Sequence, residues 1–205
     1  MWLMGYPCGL GRFCGANEQP QFKLLKFLHA SSITHSITMS SEKSAAPSLG
    51  KVLVVGGCGF LGSHIVNLLT HRHPQTQISV LDLRTSSNRS SHPNISYHDG
   101  DITDFNSIKA LFEKLKLDAV IHTASPHFNL PNEIQEKVNV GGTKNLLKAA
   151  QETAVKAFVY TSSASVILDH KTQLVNADET WPLVYGDAQP EYYTTTKVCT
   201  INSLC

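Results

Sequence analysis

The chain has 205 residues, of which 41% are hydrophobic and 16% charged, and its formal net charge is +1. This length is enough for one good-sized domain with a packed core but too short for two large domains. The chain contains no block of Lys and Arg that would neutralise phosphates, so the composition excludes nucleic-acid binding driven by a basic surface. No apolar run reaches the length of a transmembrane helix.

The cysteine pattern argues against a metal site or a disulfide framework. The chain has five cysteines, an odd number, and no CxxC pair occurs among them. Structural zinc sites and small disulfide-bonded domains use paired, closely spaced cysteines. We therefore expect no metal, and reduced thiols in a cytoplasmic protein.

The first 48 residues differ from the rest of the chain because they show no sustained strand or helix period. We predict a disordered or weakly ordered extension over residues 1–48 and one folded domain over residues 49–205. The segment is basic and poor in acids, so an organelle-targeting presequence is a second interpretation. Met39 would also serve as an ordinary start for a cytosolic protein.

From residue 51 onward, apolar strand patterns alternate with helical patterns. The predicted strands cover residues 51–55, 78–81, 95–98, 119–122 and 157–160. Helices are predicted after residue 60, over 104–116, over 132–152 and from residue 192. This alternation predicts a parallel sheet with helices on both faces. Right-handed crossovers then make it a Rossmann-type doubly wound α/β fold.

A glycine-rich loop follows the first predicted strand and opens the first helix; it reads Gly56-Gly57-Cys58-Gly59-Phe60-Leu61-Gly62. The spacing GxxGxxG serves a tight turn, a close approach of backbone to a pyrophosphate and close packing of helix on strand. The helix N-terminus adds unpaired N–H groups and the positive end of a dipole. We therefore predict that a dinucleotide binds at Gly56, Gly59, Phe60, Leu61 and Gly62.

Two acids follow the next predicted strands. Asp82 ends the second strand, where a carboxylate can hydrogen-bond the ribose 2′-hydroxyl of NAD and repel the 2′-phosphate of NADP. The neighbouring Arg84 keeps NADP open as a second cofactor. After the third strand, Asp101 is placed to hydrogen-bond the adenine amino group, with Ile102 beside it. Asp104 is the better candidate for capping the next helix.

Tyr193 and Lys197 form a YxxxK pair on the last predicted helix, where residues four apart share one face. A neighbouring cation lowers the pKa of a phenol from its ordinary value of about 10. Tyr193 is therefore a candidate for taking a proton from a substrate hydroxyl while hydride leaves for a nicotinamide. Lys197 would also reach the nicotinamide ribose. Ser162 and Ser163 lie just past the fifth strand, where a hydroxyl can hold a substrate oxygen.

The order of these features, from glycine loop to serine pair to YxxxK, resembles the short-chain dehydrogenase/reductase superfamily. In the pattern Thr-Ser-Ser-Ala-Ser-Val, Ser163 aligns with the catalytic serine of that superfamily. Asn139 matches the NVxGT motif of the extended branch within Val138-Asn139-Val140-Gly141-Gly142-Thr143. The resemblance implies that Asn139 supports a proton relay; a helix-packing role is the alternative.

Two further motifs resemble the 3β-hydroxysteroid dehydrogenase family: His122-Thr123-Ala124-Ser125-Pro126, and the run from Tyr160 to Val166. The resemblance covers about residues 51–197 and is strongest to fungal members that oxidise and decarboxylate sterol 4α-carboxylates. It implies an NAD-dependent oxidoreductase that converts a 3β-hydroxyl to a ketone, with Thr123 and Ala124 beside the cofactor. Phe128 and Leu130 are candidates for an apolar pocket next to the nicotinamide.

The resemblance also implies a small-molecule sterol as partner. It is compatible with a homodimer and with a peripheral position at the endoplasmic reticulum membrane. Other interpretations stay open at this stage. One is another extended-branch enzyme, such as a sugar-nucleotide epimerase or a flavonoid-type reductase. Another is a non-catalytic dinucleotide-binding module or an inactive fragment.

The chain ends eight residues after Lys197, whereas extended-branch enzymes continue much further. Residues 198–205 do not show the amphipathic pattern expected of a longer helix. We therefore expect a truncated Rossmann domain that lacks its C-terminal strands and substrate-binding region. In it, the strand at 157–160 would form an open sheet edge and the last helix would be short. Such a chain would bind NAD weakly and turn over poorly.

Overall fold

A six-stranded sheet forms the centre of the computed structural model, which describes residues 3–7, 46–178 and 180–204. Its strands run in the order β1-β6-β5-β2-β3-β4, with β2 to β6 parallel and β1 antiparallel to β6. The doubly wound parallel sheet predicted from the sequence is therefore confirmed. The strands are β1 (Leu3–Pro7), β2 (Lys51–Val55), β3 (Gln77–Asp82), β4 (Ile95–Asp99), β5 (Ala119–His122) and β6 (Ala157–Thr161).

The helices follow the predicted alternation. They are α1 (Phe60–Arg72), α2 (Phe105–Leu115), α3 (Asn132–Gln135), a π-helix (Glu136–Gly142), α4 (Thr143–Glu152) and α5 (Tyr192–Leu204). The long helix predicted over 132–152 is present as α3, the π-helix and α4 in direct succession. Within the described part of the chain, no helix is both long enough and apolar enough to cross a membrane.

Apolar side chains cover both faces of the sheet. In β2, Val52 and Val54 belong to the cluster packed by α1, whereas Leu53 and Val55 belong to the cluster packed by α2, α4 and α5. All four are at most 1% exposed, as expected for a continuous apolar strand in a parallel sheet. This two-sided burial holds the carboxyl ends of β2, β3 and β5 together at one edge.

Asp104 caps α2, as the sequence predicts. Its carboxylate accepts hydrogen bonds from the backbone N–H of Asn106 and of Ser107, at 3.1 and 3.3 Å. The hydroxyl of Ser107 donates a third bond at 2.6 Å. These bonds satisfy N–H groups that have no partner inside the helix, and they lower the pKa of Asp104.

The sequence predicts that residues 198–205 do not extend the last helix. That prediction is wrong, because α5 continues to Leu204. Val198 and Ile201 are 2% and 3% exposed and join the core cluster on the α2 and α4 side. The buried side of α5 does not stand out in the sequence, because three of its fully buried positions hold threonine where an amphipathic pattern has larger apolar side chains. These are Thr194, Thr196 and Thr200. Their hydroxyls are hydrogen-bonded, which makes burial of this polar face tolerable.

The expectation of an open edge at 157–160 is also wrong. Strand β1 pairs with β6 along its whole length, from Leu3 opposite Thr161 to Pro7 opposite Ala157. Residues 3–7 show no strand period in the sequence, and they form a strand by pairing with a distant one. Residues 1, 2 and 8–45 of the predicted extension lie outside the described residues, so its boundary at residue 48 stays a prediction.

Two phenylalanines should contribute very differently to the free energy of unfolding, because only one of them is buried. Phe112 on α2 is 0% exposed, whereas Phe128 in the loop after β5 is 67% exposed. Phe112→Ala should lower the free energy of unfolding by about 3–5 kcal/mol because it leaves a cavity. Phe128→Ala should change it by less than about 0.5 kcal/mol. Urea unfolding followed by circular dichroism measures both, and equal losses would contradict this packing.

Candidate active site

The glycine loop packs so closely on neighbouring backbone that Gly56 and Gly62 have no room for a side chain. Gly56 has φ +80°, and a Cβ there would lie 2.7 Å from the Cα and N of Ala124 after β5. A Cβ on Gly62 would lie 2.1 Å from the carbonyl oxygen of Gly56. The turn, the start of α1 and the end of β5 are therefore in backbone contact, as the GxxGxxG spacing requires.

The N-terminus of α1 is open for an anion. Gly59 precedes the helix and supplies no side-chain cap, and the first turn contains no acidic residue. The first N–H groups of a helix lack intrahelical partners, so here they are available to a ligand. Phe60 is 83% exposed at this end, while Leu61 is half-buried and Gly62 buried.

A cleft of about 620 Å³ lies beyond the carboxyl ends of β2, β3 and β5. Seven of the predicted cofactor residues line it together: Gly56, Gly59, Asp82, Asp101, Ile102, Thr123 and Ala124. Leu130 also lines the cleft, but Phe128 does not, so only one of the two predicted pocket residues lies there. The cleft thus joins the glycine loop to the acids after β3 and β4.

Asp82 is tied to the glycine loop itself. Its Oδ2 accepts a hydrogen bond from the backbone N–H of Cys58 at 3.0 Å. The carbonyl of Cys58 in turn accepts a bond from the Nδ2 of Asn88 at 2.8 Å. Burial and the nearby Asp82 raise the pKa of the Cys58 thiol. Asn88 was not found from the sequence, because its contact with the loop spans thirty residues.

The residues after β4 divide into a surface acid and a core contact. Asp101 is exposed in the cleft wall and accepts a bond from the N–H of Thr103 at 2.8 Å. Ile102 is 6% exposed and packs against Gly142, where a Cβ would come within 2.5 Å of it. Ile102 therefore holds the π-helix against the cleft as well as lining it.

Thr123 and Ala124 support the loop from β5. The N–H and the hydroxyl of Thr123 both donate to the carbonyl of Val55, at 2.9 and 2.8 Å. Ala124 is the residue on which Gly56 packs. The Thr123 hydroxyl is thus engaged by the strand that precedes the glycine loop.

Helix α5 presents Tyr193 and Lys197 on one face. Lys197 is 3% exposed; its Nζ donates to the carbonyl of Thr161 at 3.4 Å and lies 5.7 Å from the centre of the Tyr193 ring. No ion pair of the described residues includes Lys197. Burial without a carboxylate lowers the pKa of Lys197 to about 8.

The pKa of Tyr193 is raised, which differs from the expectation that Lys197 lowers it. Burial is the main cause, and hydrogen bonds to Ser125 and Ser163 offset it in part. Lys197, whose Nζ lies 5.7 Å from the centre of the Tyr193 ring, does not reverse the shift. In the free chain the phenol is therefore neutral and held between two serines.

Ser163 lies beside Tyr193, whereas Ser162 is 8% exposed and its hydroxyl has no hydrogen-bond partner among the described residues. The Ser163 hydroxyl accepts from the N–H of Ser165 at 3.2 Å and is 2.7 Å from the Ser165 hydroxyl. Thr194 donates to that second hydroxyl at 2.9 Å. Ser163 is thus fixed relative to α5.

Asn139 lies in the π-helix, 1% exposed, and connects the cleft to α5. Its Oδ1 accepts from the hydroxyl of Ser125 at 3.0 Å, and its Nδ2 donates to the Oγ1 of Thr196 at 2.9 Å. Its backbone carbonyl accepts from Thr200 at 3.1 Å. Asn139 therefore packs α5 against the π-helix and also contacts Ser125, which in turn contacts the Tyr193 phenol. Ser125 lies in the motif His122-Thr123-Ala124-Ser125-Pro126, but nothing in the sequence predicts a role for its hydroxyl.

Three relatives compare closely with this chain. The sterol-4-alpha-carboxylate 3-dehydrogenase, decarboxylating, of Candida albicans is 42% identical over 156 residues, which are 73% of this chain and 44% of that protein. The enzyme of the same name from Bos taurus is 36% identical, over 74% of this chain and 40% of its own. A 3 beta-hydroxysteroid dehydrogenase/Delta 5→4-isomerase of Mycobacterium tuberculosis is 37% identical, over 77% and 42%.

Solved structures agree on the fold. The Bordetella bronchiseptica enzyme WbmH in complex with NAD+ is 27% identical with a TM-score of 0.64, covering 75% of this chain and 51% of that one. The UDP-glucose 4-epimerase of Thermus thermophilus in complex with NAD is 26% identical with a TM-score of 0.63, covering 75% and 49%.

The chain spans less than half the length of the three relatives above. Within that span, the model of the 3-beta hydroxysteroid dehydrogenase/isomerase family matches residues 53–201. That range begins within β2, before the glycine loop, and ends within α5, after YxxxK. The chain therefore belongs to the 3-beta hydroxysteroid dehydrogenase/isomerase family.

Proposed function

We propose that the protein oxidises the 3β-hydroxyl of a sterol to a ketone with NAD as hydride acceptor, and that the sterol carries a C4 carboxylate that leaves as carbon dioxide. The observation that carries the proposal is the neutral phenol of Tyr193, held between Ser125 and Ser163 beside a cleft that begins at the glycine loop. The names of the Candida and Bos relatives, which specify a sterol 4-alpha-carboxylate as substrate, support the substrate class.

The residues present fit a dinucleotide. The backbone cradle at Gly56 and Gly62, which a Cβ would fill, and the uncapped N-terminus of α1 suit the pyrophosphate. Asp82 would take the adenosine ribose, and Asp101 and Ile102 the adenine. Thr123 and Ala124 would border the cofactor where the cleft passes β5, and Phe60 and Leu61 the phosphates. When bound, NAD supplies the hydride acceptor.

NAD is proposed over NADP because the Asp82 carboxylate lines the cleft and would repel a 2′-phosphate. Arg84, two residues further on, is exposed and is absent from the cleft lining. An arginine in that position would have to turn inward to pair with a 2′-phosphate.

The chain's own groups divide the proton chemistry. Ser163 holds the substrate oxygen, Tyr193 takes its proton, and Lys197 stabilises the phenolate and reaches the nicotinamide ribose. Asn139 holds the helix that carries them. Loss of carbon dioxide then needs little from the protein, because the new ketone sits β to the carboxylate and accepts the electron pair as an enolate. Positioning is therefore the main task of the site.

The proposal extends to a homodimer and to peripheral contact with the endoplasmic reticulum membrane, both on the strength of the family resemblance. Sedimentation of the purified protein and flotation with liposomes test these two points separately.

Adjacent tyrosines provide the test of the function. Tyr193→Phe should lower NAD-dependent oxidation of a 4α-carboxysterol by more than about a hundredfold, since it removes the general base, and should leave NAD affinity unchanged. Tyr192→Phe should keep the rate, because that hydroxyl is bonded to Glu136 at 3.2 Å. Product formation from the sterol and from UDP-glucose is followed in parallel. Activity on UDP-glucose alone would replace the sterol proposal with an epimerase.

Two glycines test the dinucleotide cradle. Gly62→Ala should weaken NAD binding by more than about tenfold, because the new methyl collides with the Gly56 carbonyl. Gly141→Ala is the matched control, since a Cβ there has no contact closer than 3.9 Å. Isothermal titration calorimetry measures both. Equal NAD affinity in the two variants would count against the cradle.

The burial of Lys197 should make the stability of the protein rise with pH. Its folded pKa of about 8 is below the unfolded value of about 10.4, so the unfolded chain binds more protons between these values and stability rises with pH. Below pH 8 the buried charge costs about 3 kcal/mol. Lys197→Met should therefore be more stable than wild type near neutrality, and the difference should shrink as pH rises to 10. A difference that is constant with pH would contradict the shift.

A further inference from the structure

Two serine hydroxyls flank the phenol of Tyr193, and only Ser163 has a role in the proposed reaction. Ser125 comes from a different part of the chain, three residues after β5. It is exposed in the wall of the cleft, and its hydroxyl also contacts Asn139. Ser125 therefore joins the cleft, the phenol and the buried π-helix.

The direction of the hydrogen bonds around Asn139 follows from counting protons. Thr196 has one hydroxyl proton, which it donates to the carbonyl of Tyr193 at 2.6 Å. Its oxygen must then accept, and the donor is the Nδ2 of Asn139. The opposite end of the amide, Oδ1, therefore faces Ser125.

The orientation of the Asn139 amide determines whether the Ser125 hydroxyl donates or accepts a hydrogen bond at the phenol. Because Oδ1 is only an acceptor, the Ser125 proton points to it across 3.0 Å, with the carbonyl of Pro126 as a second, longer acceptor at 3.3 Å. The Ser125 oxygen then has lone pairs left for the proton of neutral Tyr193. If Tyr193 ionises, the phenolate competes with Oδ1 for the Ser125 proton. A charged acceptor forms the stronger bond, so the hydroxyl turns toward it.

We propose that Ser125 is a second catalytic hydroxyl: its oxygen accepts a hydrogen bond from neutral Tyr193, and its O–H turns to donate a hydrogen bond to the phenolate, in competition with Oδ1 of Asn139 as the nearer acceptor. Only an O–H group rotates, and no bond between heavy atoms changes. The place of this step in turnover rests on the proposed function. The ionisation equilibrium of Tyr193 does not, so it can be measured without substrate.

Three other ionisable side chains lie near the Tyr193 phenol, and the variants proposed below leave all of them in place. Lys197 lies on the same helix, and Tyr160 on β6 is the further group whose pKa responds to Tyr193. His122, packed 5.5 Å from the Tyr160 ring, is held neutral by burial and by Lys197. All three are retained in every variant.

The experiment uses the whole chain with all tyrosines replaced by difluorotyrosine, whose more acidic phenol ionises where the protein is stable. The Tyr193 signal in the ¹⁹F NMR spectrum is assigned with Tyr193→Phe. Ser125→Ala should raise the pKa of the Tyr193 phenol by at least about one, the loss of one hydrogen bond to a charge. Ser125→Thr keeps the hydroxyl and should restore the wild-type value.

Asn139→Leu should have the opposite sign. It removes the nearer of the two acceptors that compete for the Ser125 proton, which favours donation to the phenolate and lowers the pKa of Tyr193. If this buried variant does not fold, the Ser125→Ala and Ser125→Thr pair decides alone. If Ser125 and Asn139 had only structural roles, their substitution would change thermal stability and NAD affinity and would leave the pKa of Tyr193 unchanged.

The outcomes separate this proposal from the proposed function. An unchanged or lowered pKa in Ser125→Ala, or failure of Ser125→Thr to restore it, overturns the role of Ser125. The expected shifts in a chain that oxidises no sterol would support Ser125 and count against the sterol reaction. Where the chain does turn over, Ser125→Ala should move the alkaline rise of kcat to higher pH and leave the KM for NAD unchanged.

Discussion

The contact between Gly56, Gly62 and Ala124 is the constraint on which the rest of the site depends. Three backbone segments meet there at distances that exclude any Cβ. Their approach places the uncapped start of α1 at the end of β2 and sets the position of the residues after β5. The cleft, the acid at Asp82 and the serine at Ser125 are all positioned from this point.

A second contact, between α5 and the π-helix, has a different chemistry. Val198 and Ile201 pack α5 into the apolar core, whereas the side of the helix that meets Asn139 carries Thr196 and Thr200, whose hydroxyls donate to backbone carbonyls. The π-helix brings the Asn139 carbonyl and amide to the same helix face, and π segments are frequent at functional sites. A polar interface fixes the rotation of α5 more narrowly than an apolar one, since each hydroxyl has one direction.

The sequence predicts those parts of the molecule that depend on neighbours along the chain. The strands β2 to β6, the cap at Asp104 and the spacing of the glycine loop all follow from local periodicity or short-range geometry. Strand β1, the contact from Asn88 to Cys58 and the bond from Ser125 to Asn139 depend on residues far apart in sequence. Such contacts leave no periodic signal, and neither does a helix face built from threonine.

Burial shifts the two ionisable groups of YxxxK in opposite directions, and both shifts favour the uncharged forms. Neutral phenol with neutral amine contains as many protons as phenolate with ammonium. The two states therefore interconvert within the pair, and their balance belongs to the pair rather than to either residue. Burial alone selects the uncharged state of Tyr193 and Lys197. Hydrogen-bond donors at the phenol oxygen favour the charged one, so the hydroxyls of Ser125 and Ser163 shift that balance.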